Sequence, residues 1–498
     1  MTAALGALAV VAAAWGWGRA LLPRELERGR AEETALSLGL GLAVLMGAGT
    51  LLSWLGLSLS LPLALVLVAA GPGAGLVQIR RRPRTPAPPL LPGPLRLLLT
   101  IWSLGTVLAV VALPLHTFDP LFHYAYKAKL LLAGSVPGDE AWTGMLDAAG
   151  QPARVGPFLT HPDYPLGVPW LMALAAAIGG GWSERWVQLP AALGPALLPW
   201  FAAAGLRPWG RRAAFWGALL TLSCPVLVVR DFGVQGDPLL GPLRGLLEAD
   251  LLHSLVDPGV AAAVALASAL LLRSFLPRGT PPGRRTAFLA GLALGSAALV
   301  KNEGLALALL GLLASAAVLL FRPRPGLRRV FGALALGALL VLGPTLGLRA
   351  RLPSVDEGYA RRLAPAAVAE AWSSHEPVGN ARNRLIREDP ELREQAPLRR
   401  HEVGRLLGGA FVDLRNFGIL WPLLLLLLPA AWACCRRGTA FLALLLAGGW
   451  TLYGLVLLVT PWYLPDLEVL GIPERLLLHL LGPAALLGGL ALSRGQQG

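Results

Sequence analysis

The stretch Leu115–Leu132 reads LHTFDPLFHYAYKAKLLL and places several ionisable side chains directly beside long apolar segments. With Pro120 in the first turn of a helix and Asp119 at its N-cap, His123 and Lys127 follow one and two turns later on one face. The opposite face is apolar, so the segment is predicted to lie at a membrane surface. A carboxylate, an imidazole and an ammonium then face outward from that surface.

The composition around this stretch is that of a polytopic membrane protein. The 498 residues are 55% hydrophobic and 14% charged, with a mean hydropathy of +0.61, whereas soluble proteins average about 25% charged residues. Apolar segments of about 17 to 25 residues, long enough to cross a bilayer, recur along the chain. We therefore predict an all-α integral membrane protein with about 13 transmembrane helices, the first of them uncleaved.

The positive charge is distributed as in a membrane protein. There are 43 Lys and Arg residues against 29 Asp and Glu, a formal net charge of +14. The arginines cluster in short loops between apolar segments, for example at 80–84, 322–329 and 436–437, which is typical of cytoplasmic loops. The sequence therefore predicts no nucleic-acid partner, and the alternation of loops places Leu115–Leu132 on the extracytoplasmic side.

One apolar segment breaks this alternation. Two segments, Pro165–Gly180 and Trp186–Leu206, separate the extracytoplasmic loop from the basic residues at 207–212, although an odd number of crossings is required. Either one segment does not fully cross or the basic loop breaks the charge rule. The prolines and glycines of Pro165–Gly180 favour the first reading, a partial or tilted crossing.

The sequence HPDYP at His161–Pro165 enters this segment and has two interpretations. As structure, the prolines restrict their neighbours to extended shapes and make a rigid turn. As function, Asp163 and Tyr164 present an acid and an aromatic hydroxyl at the depth of Asp119. Asp119 itself is either a plain helix cap or a general base, and an N-cap bond would weaken it as a base.

Two further positions put charge at the mouths of apolar segments. Lys301 and Glu303 lie in a short turn between two spans, and ionisable residues at this depth are expensive and often functional. They either pair with each other in a solvated turn, or Lys301 binds a lipid phosphate. Asp257, followed by Pro258 and a span, repeats the pattern. Only three of the basic residues are lysines, namely Lys127, Lys129 and Lys301.

Four motifs in order resemble a known class of proteins. They are FDPLFHYAYKAKLLLAGSVP (118–137), HPDYPLGVPWL (161–171), VDPGVAAAVAL (256–266) and LVKNEGLALALL (299–310). Together they resemble bacterial integral-membrane glycosyltransferases of the GT-C class, which include relatives of protein O-mannosyltransferases and aminoarabinose transferases. The resemblance runs from about Leu95 to Phe321 and implies a GT-C-like helical bundle with extracytoplasmic juxtamembrane helices.

The resemblance implies a function. In that class an acid of the first large extracytoplasmic loop is the catalytic base or orients the acceptor, and Asp119 matches it. The donor is a polyprenyl-phosphate-linked sugar whose phosphate is held by basic side chains, here Lys127 and Lys301. The expected substrate-binding residues are His123, Lys127, His161, Asp163, Tyr164, Asp257, Lys301 and Glu303. This chain has a lone Asp where many relatives have paired acids, so no cofactor is assigned and a divalent metal stays open.

The expected reaction is sugar transfer, with inversion, to a hydroxyl of an unidentified acceptor at the extracytoplasmic face of a bacterial inner membrane. Residues 1–348, including the loop 116–164, form the predicted transmembrane catalytic module. Residues 349–417 form an extracytoplasmic charged segment and 418–498 the C-terminal transmembrane helices. The alternatives are a transporter or lipid-linked-saccharide flippase, which should bury its ionisable groups at mid-membrane depth, and a non-catalytic assembly protein.

Overall fold

The structure is a computed structural model whose described residues are almost all helical. They are 1–23, 26, 30–81, 90–112, 115, 119–139, 142, 154–155, 158–159, 161–224, 256–274, 283–321, 326–352, 359–375, 397–460, 464, 467 and 472–493. Within these ranges the strands β1 (Arg154–Val155) and β2 (Phe158–Leu159) pair antiparallel, with Arg154 opposite Leu159.

In the described part of the chain the helices follow the predicted apolar segments. They are α1 (Thr2–Leu21), α2 (Arg30–Trp54), α3 (Leu61–Arg81), α4 (Gly93–Ala112), α5 (Tyr126–Leu132), α6 (Gly167–Ile178), α7 (Leu189–Leu206), α8 (Arg211–Leu222), α9 (Asp257–Ser274), α10 (Arg284–Val300), α11 (Asn302–Phe321), α12 (Leu327–Arg349), α13 (Tyr359–Arg362), α14 (Pro365–Ser373), α15 (Arg399–Val412), α16 (Leu414–Phe417), α17 (Leu420–Cys434), α18 (Arg436–Val459), α19 (Ile472–Leu478) and α20 (Leu481–Ala491). A π-helical segment, Asp119–Ala125, leads into α5 and a 3₁₀ turn, Arg207–Trp209, follows α7.

The all-α polytopic architecture is confirmed. Within the described part of the chain, eight helices are long and apolar enough to cross a membrane, and the bent pair α19–α20 makes a ninth if it is one span. Three shorter apolar helices, α6, α11 and α17, accompany them. The helices α7 and α9 are mostly buried within the bundle, whereas α3 and α4 expose most of their apolar surface and form its rim.

Small residues bring the helices into close contact. Gly41 of α2 lies against Ala14 of α1, and Gly18 of α1 lies against the carbonyl of Ser37. In a bilayer, where lipid tails are as apolar as leucine, such close backbone contact is a main source of helix association. The two contacts also fix the antiparallel register of α1 and α2, since both pairs of residue numbers add up to the same value.

This register shows that α6 lies across the bundle. Its first residue, Gly167, lies against Met46, while the residues at its other end, Ala175 and Gly179, lie against Gly6. By the register of α1 and α2, Gly6 is level with Gly49, only about 4.5 Å along the axis from Met46, although α6 is about 18 Å long. The segment Pro165–Gly180 therefore does not cross the bundle fully, in agreement with the partial or tilted crossing that the sequence favours.

One end of the bundle, called the site end below, gathers the predicted functional residues. The helices α2, α10, α12 and α18 end there, and α7, α9, α11 and α19 begin there. Contacts of Gly194 with Ala262 and of Gly205 with Ala269 show that α7 and α9 run in the same direction. The opposite end carries the basic residues at the starts of α8, α10, α12 and α18, which the charge rule assigns to the cytoplasm.

The described helices of the 349–417 segment pack at the site end against α18. Arg399, at the start of α15, is buried, and its guanidinium donates hydrogen bonds to the carbonyls of Leu457 and Thr460 at 3.1 and 2.6 Å. These carbonyls belong to the last turn and C-cap of α18, which have no intrahelical donor. Arg399 thus ties the charged segment to the C-terminal helices.

Candidate active site at one end of the bundle

Lys127 is the most enclosed cation of the site end. It lies on α5, its side chain is fully buried, and its Nζ donates a hydrogen bond to the carbonyl of Tyr164 at 3.0 Å. Burial lowers the pKa of Lys127 from 10.5 to about 7, because desolvation disfavours the ammonium. The carboxylate of Asp163 opposes this shift in pKa and the guanidinium of Arg349 adds to it.

Asp163 lies in the turn that precedes α6, next to Lys127. Its Oδ2 faces a guanidinium nitrogen of Arg349, the last residue of α12, at 3.5 Å. Its Oδ1 is buried and has no hydrogen-bond partner among the described residues. Leaving a buried carboxylate oxygen unpaired is costly, so the geometry suits a ligand that donates a hydrogen bond there.

Three rings form a wall beside this carboxylate. His123 is buried, and its ring centroid lies 5.0 Å from that of His161 and 4.8 Å from that of Tyr164. His161 stacks on Tyr164 at 4.7 Å with an interplanar angle of 17°. The HPDYP turn therefore packs its histidine and tyrosine rings against His123 of the π-helical segment that leads into α5.

A second cluster surrounds Asp257 at the start of α9. Its Oδ1 accepts a hydrogen bond from the Nζ of Lys301 at 2.9 Å, and its Oδ2 accepts one from the Nε of Arg475 at 2.7 Å. Lys301 also lies 3.3 Å from the Oε1 of Glu303. Both oxygens of the fully buried Asp257 are thus engaged by protein cations, whereas Glu303 is about a third exposed.

His479 extends this second cluster into the bundle. Its Nε2 lies 3.0 Å from Asp257 Oδ1, and its Nδ1 lies 2.8 Å from the hydroxyl of Tyr453. The two rings are buried, His479 fully. Because Asp257 is paired with two cations and accepts hydrogen bonds as a carboxylate, His479 Nε2 carries the hydrogen that it donates.

Tyr124 joins the two clusters. It follows His123 in the chain and precedes Lys127 by three residues, and its ring centroid lies 6.4 Å from that of Tyr164. Its hydroxyl donates a hydrogen bond to the carbonyl of Val300, the residue before Lys301, at 3.1 Å. The Lys127 and Asp257 clusters therefore belong to one region at the site end.

Asp119, the predicted base, is described through its backbone alone. It is the first residue of the π-helical segment, two turns before Lys127 on the chain. The contacts of its side chain lie outside the described residues, so its role stays a prediction. The described backbone brings it to the same end of the bundle as Asp163 and Lys301.

A small, partly open apolar cavity of about 50 Å³ lies between the helices below these clusters. Its lining includes Val168 of α6 and Val300 of α10 near the site end, and Gly39 of α2 and Phe201 of α7 deeper in the bundle. Gly194 on α7 and Gly259 on α9 also line it. The absence of side chains at these glycines keeps the space between the helices open.

The described residues do not offer a metal site. No three His, Cys, Asp or Glu side chains converge within the described ranges in a way that could hold a metal ion. Asp163 and Asp257 each face cations already, so a divalent ion would meet like charge there. The divalent metal that the sequence left open is not tested by these residues, and no step below depends on one.

Sequence reasoning missed Arg349, Arg475, His479 and Tyr453. The arginines resemble the many others in the chain, and Tyr453 lies within an apolar span. His479 did carry a signal, because it is an ionisable residue inside the apolar run LLLHLLG, where such residues are rare.

Neither the known protein families nor the curated proteins contain a match to the chain. Among solved structures, ArnT from Cupriavidus metallidurans bound to undecaprenyl phosphate, a GT-C aminoarabinose transferase, matches 81% of this chain with a TM-score of 0.50 and 17% sequence identity. The chain has a GT-C-like fold. At this identity the likeness establishes the GT-C-like fold alone, and the match spans 60% of the ArnT chain.

Proposed function

We propose that the protein transfers a sugar from a polyprenyl-phosphate donor to an acceptor hydroxyl, with inversion, at the extracytoplasmic face of a bacterial inner membrane. The observation that carries the proposal is the group formed by the buried Lys127 and Asp163 with the partly exposed Arg349 at one end of a GT-C-like bundle. This group has two basic side chains against one carboxylate, and one oxygen of that carboxylate is buried without a hydrogen-bond partner among the described residues.

The basic side chains suit the phosphate of the donor. Lys127 and Arg349 flank Asp163 at the mouth of the bundle, where a lipid phosphate would lie. A preorganised cation in a site shielded from water stabilises the negative charge that develops on a departing phosphate. Lys301, on the far side of Tyr124, adds a third cation whose charge is shared with Asp257 and Glu303.

Asp119 is the proposed general base. The acceptor oxygen attacks the anomeric carbon while its proton passes to the Asp119 carboxylate. The bond from that carbon to the phosphate oxygen breaks, and its electron pair leaves with the polyprenyl phosphate. Since the base and the leaving phosphate act from opposite faces of the carbon, the configuration inverts.

The remaining predicted residues orient the sugar. Asp163 Oδ1 has no hydrogen-bond partner within the described residues and suits a sugar hydroxyl as donor, and Glu303 is exposed enough to do the same. The rings of His123, His161 and Tyr164 form a wall against which an apolar sugar face can pack. Asp257 is fully engaged by protein groups, so we assign it an indirect part through Lys301.

The apolar cavity suits the first isoprene units of the donor. It begins beside Val300, next to Lys301, and its lining is almost entirely aliphatic or aromatic. In a lipid bound this way, the phosphate contacts the basic side chains of the clusters and the chain contacts the apolar lining of the cavity. ArnT was bound to undecaprenyl phosphate in the matched structure, and a lipid of that kind is the proposed partner here.

A transporter or flippase is the second candidate, and the placement of charge disfavours it. Such proteins keep their substrate and ion sites near the bilayer midplane. Here Lys127, Asp163, Asp257 and Lys301 all lie at helix ends or turns at the site end. A site open to one face suits chemistry at that face better than passage through the bundle.

The decisive experiment replaces Asp119 by Asn and measures sugar transfer from a polyprenyl-phosphate donor in membranes. Loss of the base should lower the rate by about 10² to 10⁴. The matched control is Asp139→Asn, an exposed acid of the same loop whose carboxylate accepts a hydrogen bond from the Val136 amide. Transfer that is unchanged in Asp119→Asn removes this residue from the mechanism, and no transfer by the unaltered protein with any such donor contradicts the proposed function.

A further inference from the structure

The C-terminal helices contribute the groups that hold Asp257. The helix pair α19–α20 is bent by 54° at a break that contains His479. Arg475 lies four residues earlier, so the two side chains project from neighbouring turns on one face. Both reach Asp257, 218 and 222 positions away in the chain, at 2.7 and 3.0 Å.

These contacts determine how the charge of Asp257 is divided. Arg475 occupies Oδ2, while Oδ1 is shared between Lys301 and His479. A carboxylate that pairs with two cations neutralises the charge of each cation less than a carboxylate that pairs with one cation alone. Tyr453 keeps the His479 ring in place through its Nδ1.

The position of Lys301 is fixed from two directions. Its backbone follows the Val300 carbonyl, which accepts the hydrogen bond from Tyr124, and its ammonium meets Asp257 and Glu303. Of these contacts, the one with Asp257 is fully buried on the carboxylate side. The orientation of this carboxylate therefore decides where the ammonium points.

We propose that Arg475 and His479 are positioning residues: by sharing Asp257 they keep Lys301 available to an anionic group at the site end. The broken C-terminal helix is then part of the site. The inference deepens the proposed function and rests on it for the identity of the anion, a lipid phosphate. The arrangement of Lys301 itself can be tested without any catalysis.

Lysine acetylation provides that test, because the chain contains only Lys127, Lys129 and Lys301. The full-length protein in lipid nanodiscs is treated with an amine-acetylating reagent, and each lysine is followed by mass spectrometry. Lys129, whose side chain is 52% exposed, is the internal reference, and the fully buried Lys127 reports any general opening. An amine held as an ammonium by a carboxylate acetylates slowly.

The variants should shift Lys301 in opposite directions. In Arg475→Gln and in His479→Leu, Asp257 loses one of the partners that it shares with Lys301, so it pairs more strongly with Lys301 and acetylation of Lys301 relative to Lys129 should fall about threefold. In Asp257→Asn the pair is lost, and the same ratio should rise about threefold. A purely structural role of the C-terminal residues predicts a rise in all three variants, because each would loosen the cluster.

A rise or no change at Lys301 in Arg475→Gln and His479→Leu overturns the proposal. If acetylation of Lys127 also rises in these variants, Tyr453→Phe replaces them as the test, because it removes only the hydroxyl that holds His479 and keeps the ring. Slower acetylation of Lys301 in Tyr453→Phe supports the proposal. Unchanged or faster acetylation overturns it. Binding of undecaprenyl phosphate is measured in parallel and should weaken about tenfold in Arg475→Gln. If the unaltered protein binds no undecaprenyl phosphate and transfers no sugar, the proposed function fails while the acetylation result still decides the positioning of Lys301.

Discussion

The Nζ of Lys127 lies 3.0 Å from the carbonyl oxygen of Tyr164, a hydrogen bond that joins α5 to the turn before α6. The same turn places the Asp163 carboxylate close enough to raise the pKa of Lys127 against the effect of burial. Two motifs 37 positions apart in the chain therefore form one electrostatic unit. Predictions about either motif depend on the other.

Replacing Lys127 by Met should lower sugar transfer about a hundredfold, because the departing phosphate loses a preorganised cation. The matched control is Lys129→Met. Lys129 lies two residues further along α5, its side chain is 52% exposed, and it faces Glu184 at 3.9 Å, so its surface charge contributes little. Initial rates at saturating acceptor provide the measurement. Equal losses in the two variants would contradict a specific role for Lys127.

The pH dependence of transfer should show the titration of Lys127. The amine is a cation below its pKa of about 7 and neutral above it, so kcat/KM for the donor should fall about tenfold per pH unit on the alkaline side. Asp163 raises this pKa and Arg349 lowers it. Asp163→Asn should therefore move the alkaline limb to lower pH, and Arg349→Gln should move it to higher pH.

The two shifts of opposite sign make a control for each other. The measurement is kcat/KM for the polyprenyl-phosphate donor from about pH 5.5 to about pH 9, in steps of about half a pH unit. A limb that persists in Lys127→Met belongs to another group, and shifts of the same sign in both variants would show that Lys127 is not the titrating residue.

The helices could be predicted from the sequence because their signal is local. An apolar run such as Ala35–Leu57 identifies a span on its own, and the observed helix is Arg30–Trp54. The partial crossing of Pro165–Gly180 followed from charge alternation, which is also read along the chain. The arrangement of α6 across the bundle needed the contacts of Gly6 and Gly167.

The site could be predicted in part. Acids and cations at the mouths of spans identified Lys127, Asp163 and Lys301, because charge at membrane depth is expensive wherever it occurs. Arg349, which faces Asp163, and Arg475, which pairs with Asp257, have no local signal, since the two residues of each pair are 186 and 218 positions apart in the chain. The sequence pattern indicates which charged residues are costly to bury, whereas only the packing of the helices shows which group offsets that cost.

Filling the apolar cavity should discriminate between long and short donors. Gly194 lines the cavity, and a Cβ atom added there would lie at ordinary contact distance from Ala262 and Gly259. Gly194→Leu should therefore fold, occupy the cavity and raise the KM for a long-chain polyprenyl donor about tenfold. A donor with one or two isoprene units should be affected less.

Gly105→Leu on α4 is the control for this variant, since a side chain at Gly105 would meet open space. Its kinetic constants should match those of the unaltered protein for both donors. Equal effects of Gly194→Leu on long and short donors would show that the lipid chain does not use this cavity.

The orientation of the bundle can be tested with single cysteines. Ser135 follows α5 at the site end, and Ser135→Cys should react with a membrane-impermeant thiol reagent on intact cells, because the charge rule assigns the opposite end, with its basic loops, to the cytoplasm. Arg284→Cys, at the exposed start of α10, should react only after lysis. Cys224 and Cys435 are buried, and Cys434 is replaced by Ser in both variants. Labelling of Arg284→Cys on intact cells, with Ser135→Cys labelled only after lysis, would show that the orientation is the opposite one. The Lys127 and Asp257 clusters would then lie on the cytoplasmic side, where the proposed extracytoplasmic acceptor is absent.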